Sequence, residues 1–385
     1  MAGYYFRLPA ITQLTIAQQA ALNETGQIAL SGGPGTGKSV VSLWRHISNY
    51  ERNKKGLLLT YTTTLTQYLR ACCRLQNADA GKNVGSLYRN KPKEAWNEII
   101  IDEAQDMSED YYREIMQYGL ISYGADDSQI LYPGHCSTQV DLHRIFPNNV
   151  THILDRNFRS TQSIMQFAKQ AFPQANIPKN VITALSNNIG EKPVLLISDT
   201  FDKKRNAIER IINAFSSNDH NIAILVPWKD DVKFLRKNIL ENRNISHSFF
   251  YEDKDIFPNG CGDISNVHLT TFKSAKGLEF DTVIIPNFDD MNRIPKYVDE
   301  RIEIDKEQLE KMKNDIDRLD QLGKDHDRII FESLRSDGGY EVFYKKLMCS
   351  WEDIYVACTR ARSNLYLIST TDFPNLNIVT EKEIL

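Results

Sequence analysis

The chain reads as an α/β protein built on two parallel sheets flanked by helices. Three observations predict this. Short apolar runs alternate with amphipathic stretches along most of the 385 residues, the pattern of strands buried on both faces and joined by helices. A glycine-rich turn at 32–39 stands between one such run and a helical repeat. The apolar runs also fall into two groups on either side of about residue 155, so one domain is expected over 1–155 and a second over 156–385.

Taken in order, the run 28–31 predicts a buried strand leading into the glycine turn, and Val40, Val41, Leu43, Trp44 and Ile47 then recur at helical spacing. Further strands are expected at 57–61 and 99–101 in the first half, and at 194–197, 222–226, 267–271, 282–285 and 365–368 in the second. Residues 297–335 differ in character, being crowded with Asp, Glu, Lys and Arg and nearly free of Gly and Pro. Leu309, Met312, Ile316 and Leu319 follow one another at steps of three and four, which predicts a long surface helix within a charged helical insertion at about 292–345. Such a stripe suits a solvated helix with charged flanks or a docking surface for a partner.

The composition is that of an ordinary globular protein, with 41% hydrophobic and 25% charged residues. A net charge of −4 excludes the strongly basic footprint of a passive nucleic-acid binder, but leaves room for a local groove that grips a single strand. No apolar run approaches the ~18 residues of a membrane span, and residues 1–10 lack a basic segment followed by a long apolar one. A cytoplasmic protein with no membrane partner is expected. Six cysteines lie at 72, 73, 136, 261, 349 and 358, none at C-x-x-C spacing, which predicts reduced, buried thiols.

The segment Gly32-Gly33-Pro34-Gly35-Thr36-Gly37-Lys38-Ser39 fits G-x-x-x-x-G-K-[ST] in full, between an expected strand and an expected helix. Glycines let the backbone wrap a phosphate chain, so that successive N–H groups and the helix N-terminus face negative charge. Lys38 is expected to reach the β and γ phosphates, and the Ser39 hydroxyl to join a Mg²⁺ shell. Ile99, Ile100 and Ile101 then deliver Asp102 and Glu103 at a strand end. A carboxylate there holds Mg²⁺, usually through water, and its neighbour orients or deprotonates the attacking water. Together with the glycine turn, the pair specifies hydrolysis of a nucleoside triphosphate.

Asp102-Glu103-Ala104-Gln105-Asp106 resembles motif II of the UvrD/Rep branch of superfamily 1 helicases. Leu14-Thr15-Ile16-Ala17-Gln18 resembles the family's Q motif, Thr60-Tyr61-Thr62 its motif Ia, and Val84-Gly85-Ser86 its motif Ib. Asp126-Asp127-Ser128-Gln129 is similar to motif III, with Ala125 where glycine is usual. The second half continues the series: 154–160 resembles motif IV, 271–280 motif V with Lys273 in place of the usual histidine, and 355–361 motif VI.

The resemblance implies two RecA-like P-loop domains with an ATP site in the cleft between them. It implies that Gln18 reads the adenine edge and that Gln129 senses the γ phosphate. Arg159 and Arg360 would reach that phosphate from the second domain, where Gly277 and Glu279 would also meet the nucleotide. Thr60, Tyr61, Thr62, Ser86 and Thr271 would face single-stranded DNA. The intervals from Lys38 to Asp102 and from Arg159 to Thr271 are too short for the family's large accessory insertions, so the chain is similar to short helicase-like subunits of bacterial anti-phage defence systems. Two readings stay open: a DNA-dependent ATPase that translocates along a strand and unwinds duplex, and a nucleotide- and DNA-sensing subunit that signals to a nuclease or another protein partner. A P-loop kinase or GTPase is disfavoured by Gln129, Arg159 and Arg360 in their motifs.

Overall fold

The computed structural model describes residues 4–6, 8–87, 89–131, 136–175, 188–250 and 264–385. In the first half, strands β1 (Ile28–Ser31), β2 (Gly56–Thr60), β3 (Val84–Ser86), β4 (Glu98–Asp102), β5 (Leu120–Ala125) and β6 (Val150–Ile153) form one sheet in the order β3-β2-β4-β5-β1-β6. Every pairing in it is parallel. Helices α1 (Ile16–Asn23), α2 (Lys38–Glu51), α3 (Thr63–Gln76), α4 (Ala78–Lys82), α5 (Glu109–Ile115) and α6 (Gln139–Ile145) connect the strands. The order places the C-terminal ends of β4, β5 and β1 side by side, the edge at which open parallel sheets bind ligands.

The second half begins with α7 (Gln162–Ala171), followed by β7 (Val194–Ile197), α8 (Phe201–Ala214), β8 (Ile222–Val226), α9 (Lys229–Leu235), β9 (Ser248–Phe250), β10 (Val267–Thr271) and β11 (Phe280–Ile285). An excursion then builds β12 (Lys296–Ile304), α10 (Lys306–Gln321), β13 (Arg328–Leu334) and β14 (Tyr340–Cys349). The chain returns through α11 (Trp351–Cys358) to β15 (Ala361–Ser369) and β16 (Glu381–Ile384). The main sheet runs β16-β7-β15-β11-β8-β10-β9, again parallel throughout. Two parallel, helix-flanked sheets of this kind are the pair of RecA-like layers expected from the sequence.

Cores lie on both faces of each sheet. One apolar cluster is continuous across the two halves, from Leu43, Leu58 and Leu65 to Leu278, Phe280 and Val283, and the outer face of each sheet has its own cluster. Tyr4 and Phe6 pack with Tyr68 and Phe280 at this junction. The N-terminal segment, counted with the first half in the sequence reading, is bonded to the second: Tyr4 N donates to Ile264 O, and Tyr5 exchanges two bonds with the Asn221 amide.

The charged insertion departs from the expectation of one long helix. Only 306–321 is helical; 296–304, 328–334 and 340–349 form an antiparallel sheet in the order β12-β14-β13. The Asp305/Gln308 capping box starts α10 where the strand ends. The apolar stripe is not free for a partner: Leu309 packs with Val342 and Tyr344, Met312 lies against the same cluster, and Leu319 packs on Ile130 and Cys136 of the first half. The five described cysteines are free and buried, as expected; Cys261 lies outside the described residues.

Candidate active site

The loop after β1 turns back on itself through Gly35 (φ 72°) and Gly37 (φ 89°), left-handed positions at which a side chain would be strained. Closeness adds to this: a Cβ at Gly35 would overlap Asn157 and Arg159, and one at Gly37 the Gln18 amide. The loop is therefore held between a segment of the second half and the start of α1. Phe158 N donates to Gly35 O at 2.8 Å, and Gln18 Nε2 to Thr36 O at 2.9 Å. The Gln18 carbonyl oxygen accepts from Thr15 N, so both ends of its amide are engaged. Lys38, the first residue of α2, donates from Nζ to Gly32 O at 2.7 Å and Gly33 O at 3.0 Å, and stands 3.5 Å from Asp126 Oδ2. The lysine occupies the space that the loop wraps.

Asp102 and Glu103 follow at the end of β4, both buried. Burial, reinforced by the Glu103 charge, pushes the Asp102 carboxyl up to about 7, although Ser39, Lys38 and Lys276 oppose the shift. Its Oδ2 is buried without a hydrogen-bond partner. Burial also raises Glu103, but Lys276, Lys38, Gln105 and Arg360 outweigh it and hold that carboxyl low, at about 2. Glu103 has φ 60°, a left-handed position that turns its side chain back toward the loop, and its Oε2 accepts from Gln105 Nε2 at 2.5 Å. An ionised carboxylate thus faces the cleft beside a buried acid with a spare oxygen.

A relay crosses between the halves. Arg360 Nη2 donates to Gln129 Oε1 at 2.7 Å, and Gln129 Nε2 donates to Asp126 Oδ2 at 2.6 Å. Asp126 in turn faces Lys38. Arg360 is wholly buried and also donates to Val356 O and Leu278 O. Burial, with Arg159 nearby, lowers its pKa to about 9. Nearer the opening, Glu279 joins two arginines, accepting from Arg159 Nε at 3.2 Å and from Arg362 Nη1 at 2.6 Å.

Between the sheets lies a cavity of about 460 Å³, whose lining does not include Asp102 or Asp126. Gly35, Thr36, Gly37, Lys38, Ser39, Gln18, Glu103 and Gln129 line it from the first half, and Arg159, Gly277 and Glu279 from the second. Gly32, Gly33 and Pro34 are not in the lining; the first two accept from Lys38. Arg360 is not in the lining; Arg362, which the motif reading did not single out, is.

The residues expected to face a strand lie elsewhere. Thr60, Tyr61, Thr62 and Ser86 gather at the C-terminal ends of β2 and β3, where Thr60 pairs with Ser86 and Thr62 caps α3. Thr271 ends β10, level with Val226, at the opposite edge of the second sheet from Gly277 and Glu279. The structure does not bring these five together with the cavity.

Lys276 is a second residue that the motifs do not single out. Its side chain is 1% exposed and crosses from the second half into the turn after β4. Nζ donates to both Asp106 oxygens at 2.8 and 2.7 Å and to Gln129 O at 2.5 Å, and stands 3.5 Å from Glu103. The sequence holds an acid at 106 and a lysine at 276, each inside a motif, but nothing local joins them.

No family model matches the chain, and no curated protein does. Among solved structures, the chain is similar to the C-terminal domain of a possible DNA helicase from Lactobacillus plantarum WCFS1, at 18% identity over 58% of this chain and 98% of that one, with a TM-score of 0.32. It is similar to the Arterivirus nonstructural protein 10 helicase at 12% identity, covering 94% of this chain and 63% of that one (TM-score 0.40). The PRRSV helicase is similar at 13% identity, with 92% and 54% covered and a TM-score of 0.41. The chain thus spans under two thirds of either viral helicase. These likenesses are remote, and the fold is defined by the strand order and register given above.

Proposed function

We propose that the chain is an ATP-dependent motor of the superfamily 1 helicase type, which hydrolyses ATP on binding single-stranded DNA and converts cleft closure into movement along the strand. Residues 1–155 and 156–385 form its two moving halves. What carries the reading is that one cavity is lined by Lys38 and Glu103 from one half and by Arg159 from the other. A triphosphate there is gripped from both sides, and losing its γ phosphate removes what holds the halves together.

The roles follow from placement. Lys38 exchanges its two loop carbonyls for phosphate oxygens, a stronger charge-assisted contact. Glu103, ionised and turned into the cleft, orients the attacking water. Arg159 supplies a rigid donor fork once it leaves Glu279. Arg360 acts through Gln129, whose carbonyl it fixes, and so positions the group next to the γ phosphate. The residues fit a Mg²⁺ ion: the orphaned Asp102 Oδ2 and the adjacent Ser39 hydroxyl would hold it, and it would neutralise charge on the phosphates. Thr60, Tyr61, Thr62 and Ser86 are proposed to meet the strand on the first half and Thr271 on the second.

The deciding experiment is an ATPase assay with and without single-stranded DNA, duplex DNA and RNA, with Lys38→Ala as the blank. Turnover that rises with single-stranded DNA and vanishes in Lys38→Ala is expected. Turnover indifferent to every nucleic acid would overturn the motor reading, and none above the blank would overturn the enzyme.

A further inference from the structure

The segment 136–141 is bonded to two turns of the site in the first half and to the strand end that leads into the third. Ser137 N donates to Gln105 O at 3.1 Å and its hydroxyl to Met107 O at 2.6 Å, which ties it to the turn after β4. Gln139 N donates to Asp127 Oδ1 at 2.8 Å, which ties it to the 127–129 turn that carries Gln129. Gln139 Oε1 accepts from Ser31 Oγ at 2.6 Å, where β1 enters the phosphate loop. Asp141 closes the segment on itself, accepting from Thr138 N at 2.9 Å and Thr138 Oγ1 at 2.8 Å.

The inserted helix α10 lies on this strap. Arg318 donates from Nη1 to Cys136 O at 3.0 Å and from Nη2 to Asp141 Oδ2, so one planar guanidinium spans both ends. Leu319, 2% exposed, is buried beside it against Ile130 and Cys136. The other end of the insertion is anchored in the second half: β14 runs directly into α11, and Lys324 pairs with Glu352 of that helix at 3.2 Å. The insertion, anchored in the second half, therefore clamps a segment bonded to the turn after β4, to the 127–129 turn and to the last residue of β1.

We propose that the insertion is a transmission arm and that Arg318 is its positioning residue. Arg318 fixes the strap and, through Asp127, the turn that presents Gln129 to Arg360, so the insertion's placement sets the rate of hydrolysis without touching nucleotide. The inference rests on the hydrolytic reading above.

The test uses the full chain with Arg318→Ala, Arg318→Lys and, as a control on the exposed Lys311–Asp110 pair, Lys311→Ala. In Arg318→Ala, kcat is expected to fall about tenfold with KM for ATP within about twofold, the pattern of misplaced groups rather than lost binding. Arg318→Lys keeps the charge on Asp141 but cannot also span to Cys136 O, so it should recover only part of the rate. Lys311→Ala should match the parent. Hydrogen exchange gives a second readout, with amides of 126–129 and 137–142 exchanging faster in Arg318→Ala and the rest of the first sheet unchanged.

Parent-like kcat with unchanged exchange at 126–129 overturns the arm, as does faster exchange confined to 306–324. Should Arg318→Ala unfold, Arg318→Lys carries both readouts. Failure of the hydrolytic reading is separate: the parent would then match Lys38→Ala, while exchange still decides the arm.

Discussion

Asp102 sets the clearest terms at the scale of a single residue. A fully buried carboxyl whose Oδ2 accepts nothing is a cost to the folded chain, because burial without a partner disfavours the charge. It is useful only when something binds there. Asp102→Asn should therefore leave the unliganded chain at least as stable, while abolishing the rise in Tm that Mg²⁺ and a non-hydrolysable ATP analogue give the parent. Thermal unfolding with and without the pair checks this; an equal rise in both proteins would remove Asp102 from the metal shell. Glu103 is the opposite case, held ionised by the cations around it. Glu103→Gln keeps the side chain's shape and loses the charge facing the water. Nucleotide affinity should stay within about tenfold while turnover drops by two or more orders of magnitude. Near-parental turnover would place the water-orienting group elsewhere.

Among the elements, those with a local signature were legible in the sequence. The glycine turn and the helix after it are one contiguous pattern; 28–31 is an apolar run ending in Ser31, and 194–197 and 222–226 are unbroken apolar runs, all bounded as expected. Strand β5 was not read because Ser122 interrupts its apolar run; that hydroxyl is buried and bonds Ile28 N and Glu98. Strand β6 is an edge with mostly exposed side chains, so it carries no hydrophobic signature. In the insertion, β12 carries charge on both faces: exposed Asp299, Arg301 and Glu303 alternate with half-buried Val298, Glu300, Ile302 and Ile304, so the charge of Glu300 blurs the period of two. The stripe on α10 was read correctly as apolar, but its cover was not, because the covering strands themselves read as helix. The cover makes a prediction. Leu309 is 3% exposed against Val342 and Tyr344, so Leu309→Ala should loosen the insertion by about 2–5 kcal/mol, seen as faster hydrogen exchange through 296–349. An exposed docking stripe would tolerate the change without effect.

For the whole molecule, the question is what makes two sheets one machine, and Lys276 carries much of the answer. Its partner Asp106 is 170 positions away, on the other half, and both are buried. No spacing rule reaches so far, which is why this pair escaped the sequence while the local motifs on either side of it did not. The geometry closes a circuit: Lys276 holds Asp106 and Gln129 O, and Arg360 holds the Gln129 side chain, so the second half grips the 127–129 turn by its backbone and its amide at once. Breaking a buried pair by removing one partner leaves an uncompensated charge, at a cost of about 3–5 kcal/mol, whereas removing both is far milder. Lys276→Met should thus destabilise the chain strongly and Asp106→Asn less so. The double variant should recover much of the lost stability, a coupling that denaturant unfolding of the four proteins measures. Stability is only half of the test, because the pair also spans the moving cleft. If it holds the halves in register for catalysis, the double variant should regain its fold and still hydrolyse ATP at least about tenfold more slowly than the parent. A double variant restored in both respects would reduce Lys276–Asp106 to a structural rivet, leaving the Arg360–Gln129 contact as the link between closure and chemistry.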